Sequence, residues 1–88
     1  MKGLWMTSPT DEQLESLILA FLRRRRPDID TADLVRPIYD LDVDSLDVVD
    51  FTHELEAKFA VTADLDRVSD CLTFLDYRAY IRELIDAA

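Results

Sequence analysis

The chain has 88 residues, 49% of them hydrophobic, and carries 19 Asp and Glu against 10 Lys and Arg. Its formal net charge of -9 at pH 7 repels nucleic acid and anionic membranes and attracts basic protein surfaces. The apolar content excludes a disordered tail and the length predicts one small domain over residues 1–88, while one Gly and three Pro are too few for the repeated tight turns of an all-β fold.

The N-terminal segment precedes the first predicted element. It contains one cation and a brief apolar patch before Thr7, Ser8 and Pro9, and this patch is too short for a signal peptide. No stretch approaches the roughly 20 apolar residues that span a bilayer. The single cysteine cannot form an internal disulfide, so we expect a reducing, cytoplasmic location. Residues 1–7 either pack on the domain or fray, and the sequence leaves both open.

The first helix is predicted to begin with Ser8 as its cap and Pro9 as its first residue, because hydroxyl caps and N-terminal prolines suit helix starts. Its apolar stripe follows a helical repeat: Leu14, Leu17, Ile18, Phe21 and Leu22. The four arginines 23–26 are predicted to form its last turn, a solvated helix end that touches an acidic partner, and Pro27 ends it.

Residues 27–44 are predicted to form a long, structured connection, because they are too apolar for a free linker. The hydrophobic residues expected to pack on the core are Ile29, Leu34, Val35, Ile38, Tyr39 and Leu41. Asp44 is the predicted N-cap of a second helix. Its predicted core face consists of Val48, Phe51, Thr52, Leu55 and Phe59.

The last third of the chain predicts a short helical turn around 65–70 and a final helix capped by Thr73. The apolar residues of that helix repeat at helical spacing: Phe74, Tyr77, Ile81, Leu84 and Ile85. The complete pattern is a small α bundle with three long helices and one short helix.

The start of the second helix carries the most informative residues. With Asp44 as the cap, Ser45 is the first helical residue, and its exposed hydroxyl lies beside free backbone N–H groups that favour an attached phosphate. On the outward face of the helix, exposed apolar residues lie beside acids, which predicts docking of a partner that is basic around an apolar pocket. This face comprises Leu46, Val49, His53 and Ala57 with Asp47, Asp50 and Glu54.

The sequence Asp44-Ser45-Leu46-Asp47 resembles the DSL signature of acyl carrier proteins. The resemblance continues on both sides of the motif, at Leu41, Leu55, Glu56, Phe59, Val61 and Thr73. It implies an all-α fold, a small four-helix bundle with a long loop between helices 1 and 2.

The resemblance also implies a function. A phosphopantetheinyl transferase would attach 4′-phosphopantetheine from coenzyme A to Ser45, with Asp44 helping to position Mg²⁺ during the transfer only. The monomeric protein, itself no enzyme and holding no metal, would carry acyl thioesters to acyl-transferring and ketosynthase-type enzymes with basic docking patches. These enzymes belong to fatty acid, specialised lipid or polyketide biosynthesis. The implied partner surface is Leu46, Asp47, Val49, Asp50, His53, Glu54 and Glu56.

Two other functions stay open at this point. One is an aminoacyl or peptidyl carrier, although such carriers usually have Gly-Gly before the signature, where this chain has Asp42-Val43. The other is an unmodified helical module that only binds proteins or calcium. Most acyl carriers have Gly at position 42, so Asp42 adds charge and removes backbone freedom next to Ser45.

The same residues also have simpler interpretations. Ser45 is also an ordinary residue for a helix start. The alternating acids 40, 42 and 44 begin like an EF-hand loop, but Ser45 replaces the turn Gly and Phe51 replaces the bidentate Glu. His53 lies on the same helix, about 12 Å beyond Ser45 by helical rise, too far to act as its base. Cys71 is interpreted as a small packing residue.

Overall fold

The structure, a computed structural model, describes residues 9–88. In this range the chain forms four α helices and two short 3₁₀ helices, with no β strand. The α helices are α1 (Asp11–Leu22), α2 (Ser45–Phe59), α3 (Leu65–Ser69) and α4 (Phe74–Ala87), and the 3₁₀ helices are Thr31–Val35 and Ile38–Leu41. The predicted small all-α bundle with three long helices and one short helix is confirmed. Residues 1–7, for which the sequence allows two arrangements, lie outside the described residues.

Helix α1 begins two residues later than predicted, at Asp11 instead of Pro9. Thr10 is the N-cap: its hydroxyl accepts a hydrogen bond from the N–H of Gln13 at 3.1 Å, and the Gln13 side chain accepts one from the N–H of Thr10 at 2.8 Å. This reciprocal box satisfies two free amides at once and fixes the start of the helix. Ser8, the predicted cap, lies outside the described residues.

The four arginines 23–26 lie beyond the end of α1, so their predicted place in its last turn is wrong. The helix ends at Leu22 with Arg23 as its C-cap, and the next two N–H groups, of Arg24 and Arg25, bond three residues back at 3.2 Å. The Arg23 Nε donates to the carbonyl of Ile29 at 2.7 Å, which holds this turn against the following loop. We call residues 23–26 the arginine turn.

The long connection between α1 and α2 packs on the core through a few widely spaced apolar residues. Ile29, Leu34 and Leu41 are buried, as predicted, whereas Val35 and Tyr39 are 63% and 75% exposed, so their predicted burial is wrong. A 3₁₀ helix has three residues per turn, so the residue after a buried one points well away from the core.

The core joins the three long helices through aromatic rings. All five predicted core residues of α2 are buried, and the Phe51 ring stacks on Phe21 of α1 with centroids 4.5 Å apart. On its other side the Phe51 centroid lies 6.1 Å from that of Tyr77 of α4. Two further buried residues, Leu19 and Tyr80, broaden the core faces of α1 and α4 beyond the predicted stripes.

Two arginines of α4 tie this helix to the start of α1. Arg78 bonds the Glu15 carboxylate, and Arg82 bonds the Pro9 carbonyl and the Asp11 carboxylate, the last at 3.3 Å. Because Asp11 also lies in the first turn of α1, its charge is favourable to the helix dipole.

Tyr77 provides a pH-dependent test of the core. Its hydroxyl lies 2.7 Å from that of Thr52, which donates to the Val48 carbonyl, and burial raises the pKa of Tyr77 above its ordinary value. Only the unfolded chain then ionises this phenol near its ordinary pKa of about 10, so stability contributed by Tyr77 is full below that pH and falls as pH rises.

We expect Tyr77→Phe to cost about 1 kcal/mol of unfolding free energy at pH 7, from the lost hydrogen bond. Above about pH 10 the difference in unfolding free energy between wild type and variant should become smaller, because only the wild type loses stability through ionisation of the unfolded chain. Urea unfolding at a series of pH values measures the unfolding free energies of wild type and variant. A difference between them that grows with pH would contradict the buried, un-ionised state of Tyr77 in the fold.

Candidate functional site

The first turn of α2 presents Ser45 to solvent. Asp44 is the N-cap, as predicted: its carboxylate accepts the N–H of Leu46 at 2.9 Å, and its carbonyl accepts the N–H of Val48 at 3.2 Å. Ser45 is therefore the first helical residue, and it is exposed. Its hydroxyl lies at the positive end of a 15-residue helix, where an attached phosphate is electrostatically favourable.

Asp42 directs the chain into this helix through a left-handed backbone, with φ 56° and ψ 35°. Glycine adopts this conformation most readily, and Asp is among the better tolerated alternatives. A glycine at position 42 would adopt this conformation at lower cost. Leu41, the residue before Asp42, is 1% exposed and anchors this segment in the core. Arg26 lies 3.7 Å from the Asp42 carboxylate.

An open recess of about 380 Å³ adjoins Ser45. Val48 and Val49 of α2 form one side of it, residues 38–39 of the second 3₁₀ helix form another, and residues 68–72 complete it. Most of these side chains are apolar. The recess can therefore shelter a small apolar group tethered beside the Ser45 hydroxyl.

Contacts between two distant connections build this recess. The N–H of Ile38 donates to the carbonyl of Leu72 at 2.8 Å, and an isolated antiparallel bridge joins Pro37 to Thr73. Cys71 lies in the same region, partly buried, with its thiol donating to the Arg67 carbonyl at 3.4 Å. Burial, followed by the charge of Asp76, raises the pKa of the Cys71 thiol, which disfavours the reactive thiolate.

The seven residues predicted as a partner surface have different environments. Four are exposed, with Leu46 at 70%: Leu46, Asp50, His53 and Glu54. Val49 is half-buried and lines the recess instead of facing outward. Glu56 is half-buried, and its carboxylate accepts the N–H of Ala63 at 2.7 Å, so it supports the loop before α3.

Two of these acids, Asp47 and Glu54, are paired with the arginine turn. Arg24 makes two hydrogen bonds of 3.1 Å to the two carboxylate oxygens of Glu54, and Arg25 bonds Asp47 at 3.1 Å. The hydrogen bond from Arg24 lowers the pKa of Glu54, because it stabilises the ionised carboxylate. Arg24 and Arg25 are exposed, as predicted for a solvated segment, and their carboxylate partners lie within the chain itself.

Metal-binding and catalytic roles for the other polar residues have little support in the described residues. Between residues 9 and 88, no three His, Cys, Asp or Glu side chains are grouped to hold a metal ion. Of the three alternating acids, Asp44 caps α2 and Asp42 faces Arg26. His53 is exposed, with Nε2 4.0 Å from a Glu56 oxygen. None of the helices described is long and apolar enough to cross a membrane.

Comparison with known proteins gives one match. A family model described as "Phosphopantetheine attachment site" matches residues 12–81, which is most of the chain. The matched range begins in α1 and ends in α4, so it includes the first turn of α2 and the recess beside it. No curated protein and no solved structure matches the chain significantly.

Proposed function

The chain belongs to the phosphopantetheine-attachment family of carrier proteins, and we propose that Ser45 is the residue that bears its phosphopantetheine group. The observation that carries this proposal is the exposed Ser45 hydroxyl at the start of α2, next to an apolar recess. Ser69, which also lines the recess, lies at the end of the short helix α3 instead. A phosphate is favoured at the start of a helix and not at its end.

The residues around Ser45 fit such a group. The Asp44 carboxylate engages the N–H of Leu46, so the first turn is ordered before any group is attached. In the loading step, Ser45 Oγ attacks a phosphorus of coenzyme A, an oxygen–phosphorus bond forms, the pyrophosphate bond breaks and adenosine bisphosphate leaves. The hydroxyl proton passes to the transferase or to solvent. Once attached, the group supplies a thiol that carries an acyl chain as a thioester.

The acyl chain is proposed to be apolar, from fatty acid, specialised lipid or polyketide biosynthesis. Support comes from the recess, whose walls include Val48, Val49 and Leu72. A polar aminoacyl cargo would gain little from such walls, which ranks an aminoacyl carrier lower. The proposed role is transport without catalysis, since His53, the one histidine, lies on the same helix as Ser45 and pairs at most with Glu56.

The proposed partners are a phosphopantetheinyl transferase and acyl-transferring or ketosynthase-type enzymes, which would dock on the exposed face of α2. Leu46, 70% exposed, is the apolar centre of this face, and Asp50 and His53 lie along it. Burial of this leucine in an apolar pocket of a partner would favour docking, because apolar surface would leave water. The single cysteine agrees with a reducing, cytoplasmic location.

Incubation with coenzyme A, Mg²⁺ and a broad-specificity phosphopantetheinyl transferase tests the proposal. Intact-protein mass spectrometry should show the addition of one phosphopantetheine group. An unchanged mass, under conditions that load a control carrier protein, would reject the proposal.

Asp44 is proposed to help position Mg²⁺ during loading, and a pair of variants separates this role from capping. Asp44→Asn keeps a good N-cap and should have the unfolding free energy of wild type. Asp44→Ala removes the cap and should lower the unfolding free energy by about 1 kcal/mol. If the carboxylate positions the metal, Asp44→Asn should need about tenfold more Mg²⁺ for half-maximal loading. Equal Mg²⁺ requirements for Asp44→Asn and wild type would leave Asp44 with capping alone.

A further inference from the structure

The arginine turn lies against acids of α2 and of the loop before it. Its ion pairs are Arg24–Glu54 and Arg25–Asp47 at 3.1 Å and Arg26–Asp42 at 3.7 Å. Each pair joins the segment after α1 to the loop before α2 or to α2 itself, so the three pairs follow one edge of the proposed docking face. This arrangement comes from the tertiary fold, because the paired residues are distant in sequence.

Arg25 lies outside the carboxylate that it contacts, whereas Arg24 and Glu54 are about equally exposed and Arg26 is less exposed than Asp42. The Asp47 side chain is 22% exposed while that of Arg25 is 70% exposed, and Arg24 and Glu54 are 59% and 52% exposed. A cation on a docking enzyme would therefore meet Arg25 before it reached Asp47. Although the chain has a net charge of -9, each of these three pairs is neutral.

We propose that Arg24 and Arg25 are internal counter-ions that shield Asp47 and Glu54 from the cations of docking enzymes. The face then fits a partner that binds Leu46 with a surface of mixed charge, and it discriminates against partners whose docking patch is strongly basic. This inference deepens the proposed function and rests on it for the identity of the partners, although the shielding itself is a property of the ion pairs.

The strength of the shielding follows from the exposure of the pairs. Exposed ion pairs are weak and are screened by salt, so a basic partner can displace the arginines at a modest cost. The effect should therefore appear as a change in KM and in its salt dependence, and not as a block of docking. Arg24 contacts Glu54 through two hydrogen bonds, so the geometry of this pair is better defined than that of Arg25–Asp47.

The first test measures loading by a transferase with a basic docking patch. Arg24→Gln and Arg25→Gln should each lower the KM for this protein about two- to fivefold at low salt. The dependence of KM on salt should become steeper in both variants. Arg67→Gln is the matched control, because Arg67 is 55% exposed and pairs with Glu83 of α4 at 3.0 Å. Equal KM changes in all three variants would reduce the effect to net charge and overturn the proposal.

A double-mutant cycle tests whether Arg25 acts through Asp47. If it does, Arg25→Gln should lower KM in the wild-type background and leave KM unchanged in an Asp47→Asn background. If Arg25→Gln lowered KM by the same factor in the Asp47→Asn background, shielding of Asp47 by Arg25 would be contradicted.

A binding measurement tests the shielding without the loading reaction. A fluorescein-labelled octalysine peptide, followed by fluorescence anisotropy at low salt, should bind the Arg24→Gln/Arg25→Gln protein more tightly than Arg67→Gln or wild type. If the mass of wild type does not change with coenzyme A while this order of affinities holds, the proposed function fails and the shielding stands. If wild type is loaded but the affinities for the peptide are equal, the shielding fails and the proposed function stands.

Discussion

Ser45→Ala is expected to abolish attachment of phosphopantetheine without changing the fold. The substitution removes only the hydroxyl oxygen, at an exposed position where substitutions usually change stability by less than about 0.5 kcal/mol. In the described part of the chain, no hydrogen bond to another residue engages that hydroxyl. Intact mass after incubation with coenzyme A, Mg²⁺ and transferase should be unchanged, and the thermal unfolding midpoint should match that of wild type.

Ser69→Ala is the matched control for this variant. Ser69 is also exposed and also lines the recess, but it lies at the carboxyl end of α3. The control should take up one group at the wild-type rate. Loading of Ser45→Ala, or loss of loading in Ser69→Ala with the fold intact, would place the attachment elsewhere.

Phe51→Ala should have the largest effect on stability, because Phe51 is the ring that joins α2 to both α1 and α4. It is 3% exposed, stacks on Phe21 at 4.5 Å and lies 6.1 Å from the ring centroid of Tyr77. Truncation of a buried phenylalanine costs about 3–5 kcal/mol, from lost apolar burial and the cavity that remains. Small domains are marginally stable, so the variant should be largely unfolded at 37 °C.

Leu46→Ala is the control from the same helix. Leu46 is 70% exposed, so its loss should change the unfolding free energy by less than about 0.5 kcal/mol, while it weakens docking. Circular dichroism with urea unfolding measures both variants. Equal costs for Phe51→Ala and Leu46→Ala would show that the Phe51 contacts do not form the core.

The features of α2 could be predicted because they depend on local sequence. The side chain of Asp44 reaches the N–H two residues later, and apolar residues three and four apart share one face. The start of α1 was predicted wrongly for an equally local reason. Ser8 and Thr10 are both suitable caps, but Gln13 completes a reciprocal box with Thr10.

The surroundings of Ser45 could not be predicted, because they depend on contacts between distant segments. Arg24 and Glu54 are 30 residues apart, and the sequence shows opposite charges without showing that they meet. The bond from Ile38 to Leu72 likewise joins two loops that close the recess. Tyr39 was expected in the core for its apolar ring, whereas the 3₁₀ geometry turns it outward beside Ser45.

The most direct measurement locates the attached group on the chain. Wild-type protein, incubated with coenzyme A, Mg²⁺ and transferase, is digested and its fragments are sequenced by tandem mass spectrometry. We predict that the phosphopantetheine mass lies on Ser45 and on no other residue. A group on Ser69 or any other side chain, or no group under conditions that load a control carrier, would contradict the assignment of Ser45 as the attachment site.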